Sequence, residues 1–466
     1  MSLQFYNTLS KTKENFAPLE GGEVRIYSCG PTVYNYAHIG NFRAYIFMDT
    51  LRRVLQYNGY KIKHVMNITD VGHLESDADE GEDKMLKAAK RENKDPFEIA
   101  KFYTERFLED IHKLNIDMPE IIAKATEHIP EMIEYVQEIL DNGYAYETSK
   151  GIYFDITKLD KYPVLSNRKL EEQLAGARVE VDEEKKNPYD FALWIKAPEN
   201  HIMKWESQWG LSYPGWHIEC SAMGRKYLGK QFDIHTGGVD HIPTHHENEI
   251  AQSKGANGCV PAKFWMHCEF LLVDGGKMSK SLGNTYTLTQ LAEKGIEPLA
   301  YKMFCYTSHY RNKLNFTFEG AKSAQVALQR LREAYEKHKN GEESVEKQEI
   351  EEYRKQFTKA INDDLNMPLA MSIVWEIAKK SNKSKNYAIL LEEFDTILGL
   401  DLKNVANYKK EESIPEEIQI LLEQRKKARE QKDWTLSDKL RDEMNEKGYL
   451  VKDTKEGMQV EKIENI

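Results

Sequence analysis

The spacing of apolar residues near the amino terminus predicts a strand, a helix and a second strand. Residues 24–28 form a short alternating run that ends at a Cys-Gly-Pro turn, and residues 62–68 form a second run rich in apolar residues. Between them, apolar residues recur at helical spacing over 41–57, and an Asn-Gly pair marks the end of that helix. A βαβ unit of this kind is almost always right-handed and places ligand sites at the carboxyl ends of its strands. Residues 29–40 lie at that edge.

The pattern then changes to charged helices at 82–91, 95–114 and 129–142, which we interpret as part of an insertion at 75–205. The α/β pattern returns after the insertion, with helices at 215–228 and 245–253 and strands at 232–235 and 264–270. From residue 298 no strand pattern appears until the last twenty residues, and helical patterns cover 318–339, 345–362, 368–382 and 415–432. The carboxyl-terminal third is therefore predicted to be helical.

Length and composition are typical of a multidomain globular protein. The 466 residues correspond to about three domains at roughly 150 residues each. No stretch approaches the roughly 18 apolar residues of a membrane helix, and residues 1–16 lack the core of a secretory signal, so a cytoplasmic location without membrane contact is expected. The net charge of −11 argues against a protein that coats nucleic acid, so nucleic-acid contact needs a local basic patch. Five scattered cysteines favour reduced thiols or metal ligands over disulfides.

The motif His38-Ile-Gly-Asn41 leads directly into the first predicted helix. A helix N-terminus offers unpaired N–H groups, glycine allows close approach of a planar group, and His38 can donate to an anionic oxygen. These properties suit a nucleotide phosphate. A capping histidine beside an ordinary turn glycine is the alternative interpretation.

The motif Lys277-Met-Ser-Lys-Ser281 follows an Asp-Gly-Gly turn and precedes Gly283. Two lysines on a loop flanked by glycines can reach nucleotide phosphates as mobile charges. A solvated basic turn is the alternative.

His245 and Glu249 are four residues apart on a predicted helix and share one face, as two metal ligands must. His246 has Ile250 four residues on, and Pro243 argues against helix at His241, so both histidines are left out of the candidate set. A tetrahedral site needs two more donors, and Cys29 and Cys220 lie at predicted element ends. Spacing alone leaves inert buried cysteines and a surface His-Glu pair equally open, and the cysteines at 259, 268 and 305 are assigned to that inert class.

Residues 425–441 form a basic island in an acidic chain, since seven basic and three acidic residues give a charge of +4. The cations include Arg425, Lys426, Lys427 and Arg429, and Trp434 offers a stacking surface for an unpaired base. A solvated helix face remains the alternative from charge alone.

Taken together, these motifs resemble one family over essentially the whole chain, the class I cysteinyl-tRNA synthetases. The resemblance rests on motifs in a fixed order: Tyr27-Ser-Cys-Gly-Pro-Thr-Val-Tyr34, His38-Ile-Gly-Asn41, Asn67-Ile-Thr-Asp70, Ala125-Thr-Glu-His-Ile129, Trp216-His-Ile-Glu-Cys220, His245-His-Glu-Asn-Glu249, Lys277-Met-Ser-Lys-Ser281, His309-Tyr-Arg311 and Lys432-Asp-Trp434.

The resemblance implies a role for each candidate. It implies one zinc ion per chain bound by Cys29, Cys220, His245 and Glu249. It implies ATP, with Mg²⁺, bound by Thr32, His38, Gly40, Asn41, Lys277 and Lys280, and it places Thr69, Trp216 and Asp240 near the substrate cysteine. The tail residues expected to contact tRNA are Arg425, Lys426, Lys427, Arg429 and Trp434.

The implied fold is α/β: a Rossmann-like parallel-sheet catalytic domain split by a connective insertion, then a helical bundle and a small anticodon-binding tail. We place the catalytic halves at 1–74 and 206–297, the insertion at 75–205, the bundle at 298–412 and the tail at 413–466. The implied activity is ATP-dependent ligation of cysteine to tRNA(Cys) through cysteinyl-adenylate, by a monomer.

Two rival functions remain from the sequence. One is an enzyme with the same adenylating core that passes cysteine to a small amine, which would need no basic carboxyl-terminal domain. The other is a non-catalytic RNA-binding paralogue, which would have no physical use for two phosphate-binding loops. The sequence therefore favours the ligase.

Overall fold

The computed structural model describes residues 2–72, 83–166, 183–199, 201–279, 283–408, 415–454 and 457–462. The chain divides into two compact units, Met1–Lys403 and Asn404–Ile466, which are described separately. None of the helices in these described parts is long and apolar enough to cross a membrane.

In chain order the strands are β1 (Gln4–Asn7), β2 (Thr12–Asn15), β3 (Glu23–Ser28), β4 (Lys61–Ile68), β5 (Ile121–Lys124), β6 (Ala145–Glu147), β7 (Gly151–Phe154), β8 (Phe191–Lys196), β9 (Trp205–Ser207), β10 (Gly210–Pro214), β11 (Phe232–Gly238), β12 (Ala262–Cys268), β13 (Leu271–Val273), β14 (Gly276–Lys277), β15 (Leu314–Phe316), β16 (Tyr449–Thr454) and β17 (Gly457–Lys462). The α-helices are α1 (Ile39–Tyr57), α2 (Lys84–Glu92), α3 (Pro96–Lys113), α4 (Ile129–Asp141), α5 (Ile218–Leu228), α6 (His245–Asn257), α7 (Leu288–Glu293), α8 (Pro298–Cys305), α9 (Phe318–Lys339), α10 (Lys347–Asn362), α11 (Met367–Ala378), α12 (Lys385–Leu398), α13 (Glu416–Glu430) and α14 (Trp434–Glu446).

A five-stranded parallel sheet in the order β12-β11-β3-β4-β5 forms the centre of the first unit. The predicted βαβ unit is confirmed, and α1 begins at Ile39, two residues earlier than predicted, because His38 caps it. The strand predicted at 232–235 extends to Gly238. Buried residues of the sheet and its helices form one core that includes Tyr27, Val65 and Trp265. The carboxyl ends of these strands share one edge, where a ligand site is expected.

A second, antiparallel sheet in the order β6-β7-β8-β10-β9 lies within residues 145–214. Strands β6, β7 and β8 fall in the later part of the segment interpreted as an insertion, whereas β9 and β10 extend past residue 205 into the segment placed in the second catalytic half. The earlier part differs, since β5 pairs parallel with β4 and so belongs to the main sheet. The boundaries of the five domains remain a prediction.

Beyond residue 298 the sequence pattern predicts helices alone before the tail, but β15 is a strand paired parallel with β13. Strand β15 has three residues, too few for an alternation of apolar and polar positions to be recognised in the sequence. Helix α8 was also not predicted; because it is buried on almost every side, it lacks a polar stripe.

A buried ion network joins α1, α8 and α12. Lys302 Nζ lies 2.8 Å from Asp49 Oδ2, and Arg53 Nε lies 2.9 Å from the same carboxylate, while the Arg53 guanidinium also donates to the Thr396 carbonyl. Burial lowers the pKa of Lys302 from its usual value, and the Asp49 carboxylate opposes that shift. The network fixes the helical segment against the helix that begins at the candidate nucleotide site.

The second unit packs α13 and α14 against the β16-β17 hairpin. Its core consists of Ile418, Leu421, Leu440, Met444 and Val451. Helix α13 matches the helical pattern predicted at 415–432, and the hairpin matches the strand signal predicted in the last twenty residues.

We predict that Lys302→Met lowers the free energy of unfolding by about 3–5 kcal/mol, because it leaves the Asp49 carboxylate buried with one cation fewer. Lys322→Met, at an exposed position of α9, is the matched control and should change stability by less than about 0.5 kcal/mol. Urea unfolding followed by tryptophan fluorescence measures both. Equal stability of the two variants would contradict the role given to Lys302.

Candidate active site

A cleft of about 630 Å³ opens at the carboxyl edge of the parallel sheet. Seven of the residues selected from the sequence line it: Cys29, Thr32, His38, Gly40, Asn41, Asp240 and Lys277. They follow β3 and β11, begin α1 or end β14, so the fold brings distant segments to one place. Lys280 lies outside the described residues.

His38 is the N-cap of α1. Its Nδ1 accepts a hydrogen bond from the Asn41 backbone N–H at 3.3 Å, and Asn41 Oδ1 accepts from the His38 backbone N–H at 3.1 Å. Because Nδ1 is an acceptor, the neutral ring carries its proton on Nε2. The capping interpretation of His38 is confirmed, and because the cap uses Nδ1 it is compatible with the phosphate interpretation, which would use Nε2.

Gly40 allows the first turn of α1 to approach the lysine loop. A Cβ at this position would lie 2.6 Å from Met278 Cε and 3.1 Å from the His38 ring. The glycine therefore keeps the helix terminus, the histidine and the loop in close contact.

The loop that carries Lys277 begins with a tight turn between β13 and β14, in which Asp274 and Gly275 have φ of 49° and 78°. Asn284 closes the loop, since its Nδ2 donates to the Lys277 carbonyl and its Oδ1 accepts from the Ser279 N–H. Lys277 itself is exposed. The start of α1 is tied to the same region by a hydrogen bond from the Ile39 N–H to the Tyr286 carbonyl at 2.8 Å.

Four buried side chains at the base of this edge point their donor atoms at one another. One ligand atom from each of Cys29, Cys220, His245 and Glu249 lies within 4.8 Å of the others. In the same order, these residues are 5%, 4%, 3% and 2% exposed. The His245–Glu249 pair is at the helical spacing predicted, with His245 Nε2 3.1 Å from Glu249 Oε1.

The chemistry of this cluster fits a cation. Glu249 Oε1 is buried and accepts no hydrogen bond from the described residues, although His245 Nε2 is close. Burial, together with the neighbouring Cys220 and Glu249, raises the pKa of Cys29 well above its usual value. A buried carboxylate oxygen without a donor is costly, and a metal ion bound to the thiolates and the carboxylate removes that cost.

A second combination of donors shares two members with the first: Cys29, His235, His246 and Glu249. The i+4 spacing excludes His246, whose neighbour at that distance is Ile250, but His246 and Glu249 are i and i+3 on α6, and helix neighbours occur at both spacings. His235 Nε2 lies 2.7 Å from Glu249 Oε2. His235 was missed because it lies inside a strand, where nothing in the sequence marks it.

Further histidines support the donors. His217 Nδ1 faces His245 Nδ1 at 3.0 Å, and His246 Nδ1 faces His267 Nε2 at 2.8 Å. Burial lowers the pKa of His246 and of His267 well below the usual value, and neighbouring histidines add to the shift. Hydrogen bonds of this kind fix the ring orientation and tautomer of metal-ligating histidines.

Of the residues expected near the amino acid, Trp216 lies beside the cluster, Asp240 lines the cleft, and Thr69 contacts the neighbour of Cys220. The Trp216 ring centroid lies 4.8 Å from that of His245, and Asp240 is exposed at the end of β11. Thr69 is buried, and its Oγ1 donates to Glu219 Oε2 at 2.7 Å. Burial raises the pKa of Glu219 to about 8. Glu219 was missed by the sequence analysis, although it lies beside Cys220 in the Trp-His-Ile-Glu-Cys motif.

In the second unit, the basic island divides into surface and core. Lys426, Lys427 and Trp434 are exposed, and Trp434, at 57% exposure, has the Arg429 guanidinium 5.8 Å from its ring centroid. Arg425 differs from expectation, since it is 1% exposed and its Nε donates to the Ser437 carbonyl. Its position on the apolar face of α13, which charge counting ignores, makes it a core residue.

Comparison with known proteins identifies the family. The family model of the tRNA synthetases class I (C) catalytic domain matches residues 15–326, that of the DALR domain matches 356–403, and that of the cysteinyl-tRNA ligase anticodon binding domain matches 411–460. The chain belongs to the class I cysteine–tRNA ligases. It is therefore a ligase that uses cysteine, ATP and tRNA.

Relatives in this family match along the whole chain. Cysteine–tRNA ligase 1 of Burkholderia lata is 44% identical over 463 residues, covering 99% of this chain and 97% of that protein. Cysteine–tRNA ligase of Chlorobium chlorochromatii is 43% identical over 474 residues, with 98% of both chains covered. The Mycobacterium tuberculosis methionyl-tRNA synthetase in complex with methionyl-adenylate shares the fold, with a TM-score of 0.55 at 13% identity over 81% of this chain and 90% of that one.

We predict that Gly40→Ala slows cysteine-dependent pyrophosphate exchange of this ligase by about tenfold or more, equivalent to about 1.4 kcal/mol. The added Cβ requires the Met278 methyl group and the His38 ring to move away from it at the nucleotide end of the cleft. Gly21→Ala is the control, because a Cβ there meets nothing within 4 Å. Exchange at the wild-type rate in Gly40→Ala would show that this close approach has no role.

Proposed function

We propose that this ligase forms cysteinyl-adenylate and then cysteinyl-tRNA(Cys), and that Cys29, Cys220, His245 and Glu249 hold a zinc ion that recognises the substrate thiol. The observation that carries the zinc proposal is the buried donor cluster, in which Glu249 Oε1 accepts no hydrogen bond from the part of the chain that the structure describes. The cysteine carboxylate attacks the α-phosphorus of ATP and pyrophosphate leaves. A hydroxyl of the terminal ribose, the 2′-hydroxyl in the class I pattern, then attacks the activated carbonyl and AMP leaves.

The chain contributes positive charge where the phosphates develop negative charge. His38 donates from Nε2, the N-terminus of α1 adds the positive end of the helix dipole, and Lys277 adds a mobile cation beside it. Lys280 and Mg²⁺ complete this set in the proposal. Groups placed before the reaction stabilise the transition state without reorganising during it.

Zinc fits the donor set because two thiols, an imidazole and a carboxylate are ligands it prefers. When bound, zinc supplies a Lewis acid that takes a thiolate as a ligand and leaves a serine hydroxyl neutral and weakly held. His217 orients the His245 ring, and His235 orients the Glu249 carboxylate. Trp216 packs over His245 and limits the access of water to the cluster.

We predict that Cys220→Ser lowers the zinc content of the purified protein from about one ion per chain to a small fraction of that, since it removes a thiolate ligand. Cys259→Ser is the matched control, because the Cys259 side chain lies outside both donor groups and near the surface. Metal analysis by plasma mass spectrometry measures both variants. Full zinc content in Cys220→Ser would contradict the assigned ligand set.

The tail is proposed to bind tRNA(Cys) through Lys426, Lys427 and Arg429, with Trp434 stacking on an unpaired base. The family match of residues 411–460 to an anticodon-binding domain supports tRNA over a small amine as the acceptor. A cytoplasmic location and a monomeric state remain predictions of the family resemblance.

We predict that replacing Lys426, Lys427 and Arg429 together by Gln weakens tRNA binding and lowers the salt slope of log affinity by roughly 0.7–0.9 for each lost phosphate contact. Pyrophosphate exchange should stay at the wild-type rate. Filter binding at several salt concentrations gives the slope. Unchanged tRNA affinity and slope would make these cations solvated surface only.

A further inference from the structure

Helix α2 has one buried face and one basic face. Met85, Ala88 and Ala89 are buried, whereas Lys87 and Lys90 are exposed on the opposite side. Lys94 is exposed just after the left-handed C-cap. Glu92 is the acidic residue within the helix, and it is occupied by Arg91 and the Tyr103 hydroxyl. In a chain with a net charge of −11, this face is a local site of positive charge.

The helix is held firmly at its start. Asp83 caps it by accepting from the backbone N–H groups of Met85 and Leu86, and its other oxygen lies 3.0 Å from His201 Nε2. The His201 ring stacks on Tyr213 with ring centroids 4.3 Å apart. The Asp83–His201 pair is buried, so the basic face has a fixed position relative to the antiparallel sheet.

The basic face begins at the cleft. Lys84 lines the cleft, and its Nζ lies 5.6 Å from the centroid of the Trp216 ring. Lys84, Lys87 and Lys90 follow one another at i, i+3 spacing, so each is a helical neighbour of the next and the series leads away from the cleft. A chain of phosphates that leaves the cleft along α2 therefore meets lysines at successive helical positions.

An aromatic group lies at the far end of this face. Lys94 Nζ is 5.0 Å from the Phe102 ring centroid, and the Arg106 guanidinium carbon is 5.6 Å from it. Tyr36, 47% exposed, packs edge-on against Phe102 at 6.1 Å and also lines the cleft. Aromatic rings next to cations are the usual surface on which proteins bind unpaired bases.

We propose that the acceptor-end surface, defined as Lys87, Lys90, Lys94 and Phe102, binds the single-stranded 3′ end of tRNA and guides its terminal ribose into the cleft. The lysines contact the phosphates, and Phe102 stacks on a base. Only a single strand fits, because a base in a duplex has no face available for Phe102. The inference rests on the proposed transfer of cysteine to tRNA and adds the surface that delivers the acceptor.

The first test compares two triple variants of the full-length protein. Lys87→Gln/Lys90→Gln/Lys94→Gln should lower kcat/KM for tRNA in aminoacylation by about tenfold or more and reduce the salt slope by roughly 0.7 for each single-strand contact. Pyrophosphate exchange should be unchanged, since none of the three lines the cleft. Lys322→Gln/Lys337→Gln/Lys355→Gln changes three exposed cations of α9 and α10 and is the charge-matched control.

Binding to tRNA that lacks its three 3′-terminal nucleotides identifies the part of the tRNA involved. The α2 variant should bind intact tRNA more weakly than the wild type, and the two proteins should bind truncated tRNA equally. Equal weakening of binding to both tRNAs would place the lysines against another part of the tRNA and overturn the inference. The inference would also be overturned if the α2 variant bound intact tRNA as tightly as the wild type does.

Substitution of the ring tests stacking separately. Phe102→Leu keeps an apolar side chain but removes the aromatic face. It should therefore lower the affinity for intact tRNA roughly tenfold. Phe97→Leu, at another exposed position of α3, is the control. If Phe102→Leu binds intact tRNA as tightly as the control variant does, the stacking role is wrong.

Failure of the proposed function is a different outcome: in that case the wild-type protein itself charges no tRNA with cysteine.

Discussion

Burial of thiol, imidazole and carboxylate donor atoms at the carboxyl edge of the parallel sheet is the constraint on which the active site depends. Cys29 follows β3, Cys220 lies on α5, and Glu249 lies on α6, so three separate segments supply the donors. Without a cation, the Glu249 oxygen would remain buried and unpaired. The donor set is therefore unfavourable as ordinary core, and this cost supports the proposal of a metal site.

The same edge also positions the nucleotide groups. The cap that His38 forms on α1 fixes the orientation of its ring, and the absence of a side chain at Gly40 allows the lysine loop to approach. At the other side of α1, Asp49 and Arg53 connect it to Lys302. Helix α1 thus connects the end of the cleft that carries His38 and Gly40 to the helical segment that follows.

The sequence predicted the features that depend on local spacing. The βαβ unit, the His245–Glu249 pair and the motif at His38 were correctly placed because strand, helix and cap signals are short-range. His235, Glu219 and Lys302 were not found, since a buried polar residue has no signal until its partners are known. Arg425 was assigned to the surface because a charge count does not show which face of α13 it occupies. The basic face of α2 was missed because acidic residues of α3 follow it closely in the sequence.

The central claim is that the buried donor cluster, through its metal, selects cysteine over serine. Calorimetric titration of both amino acids into zinc-loaded and chelator-stripped protein tests it most directly, with ATP binding as the check that the stripped protein remains folded. The account predicts that zinc-loaded protein binds cysteine at least roughly a hundredfold more tightly than serine, and that this preference falls to about tenfold or less without metal, the range of a purely steric pocket. A preference for cysteine that is unchanged after zinc removal would contradict the account.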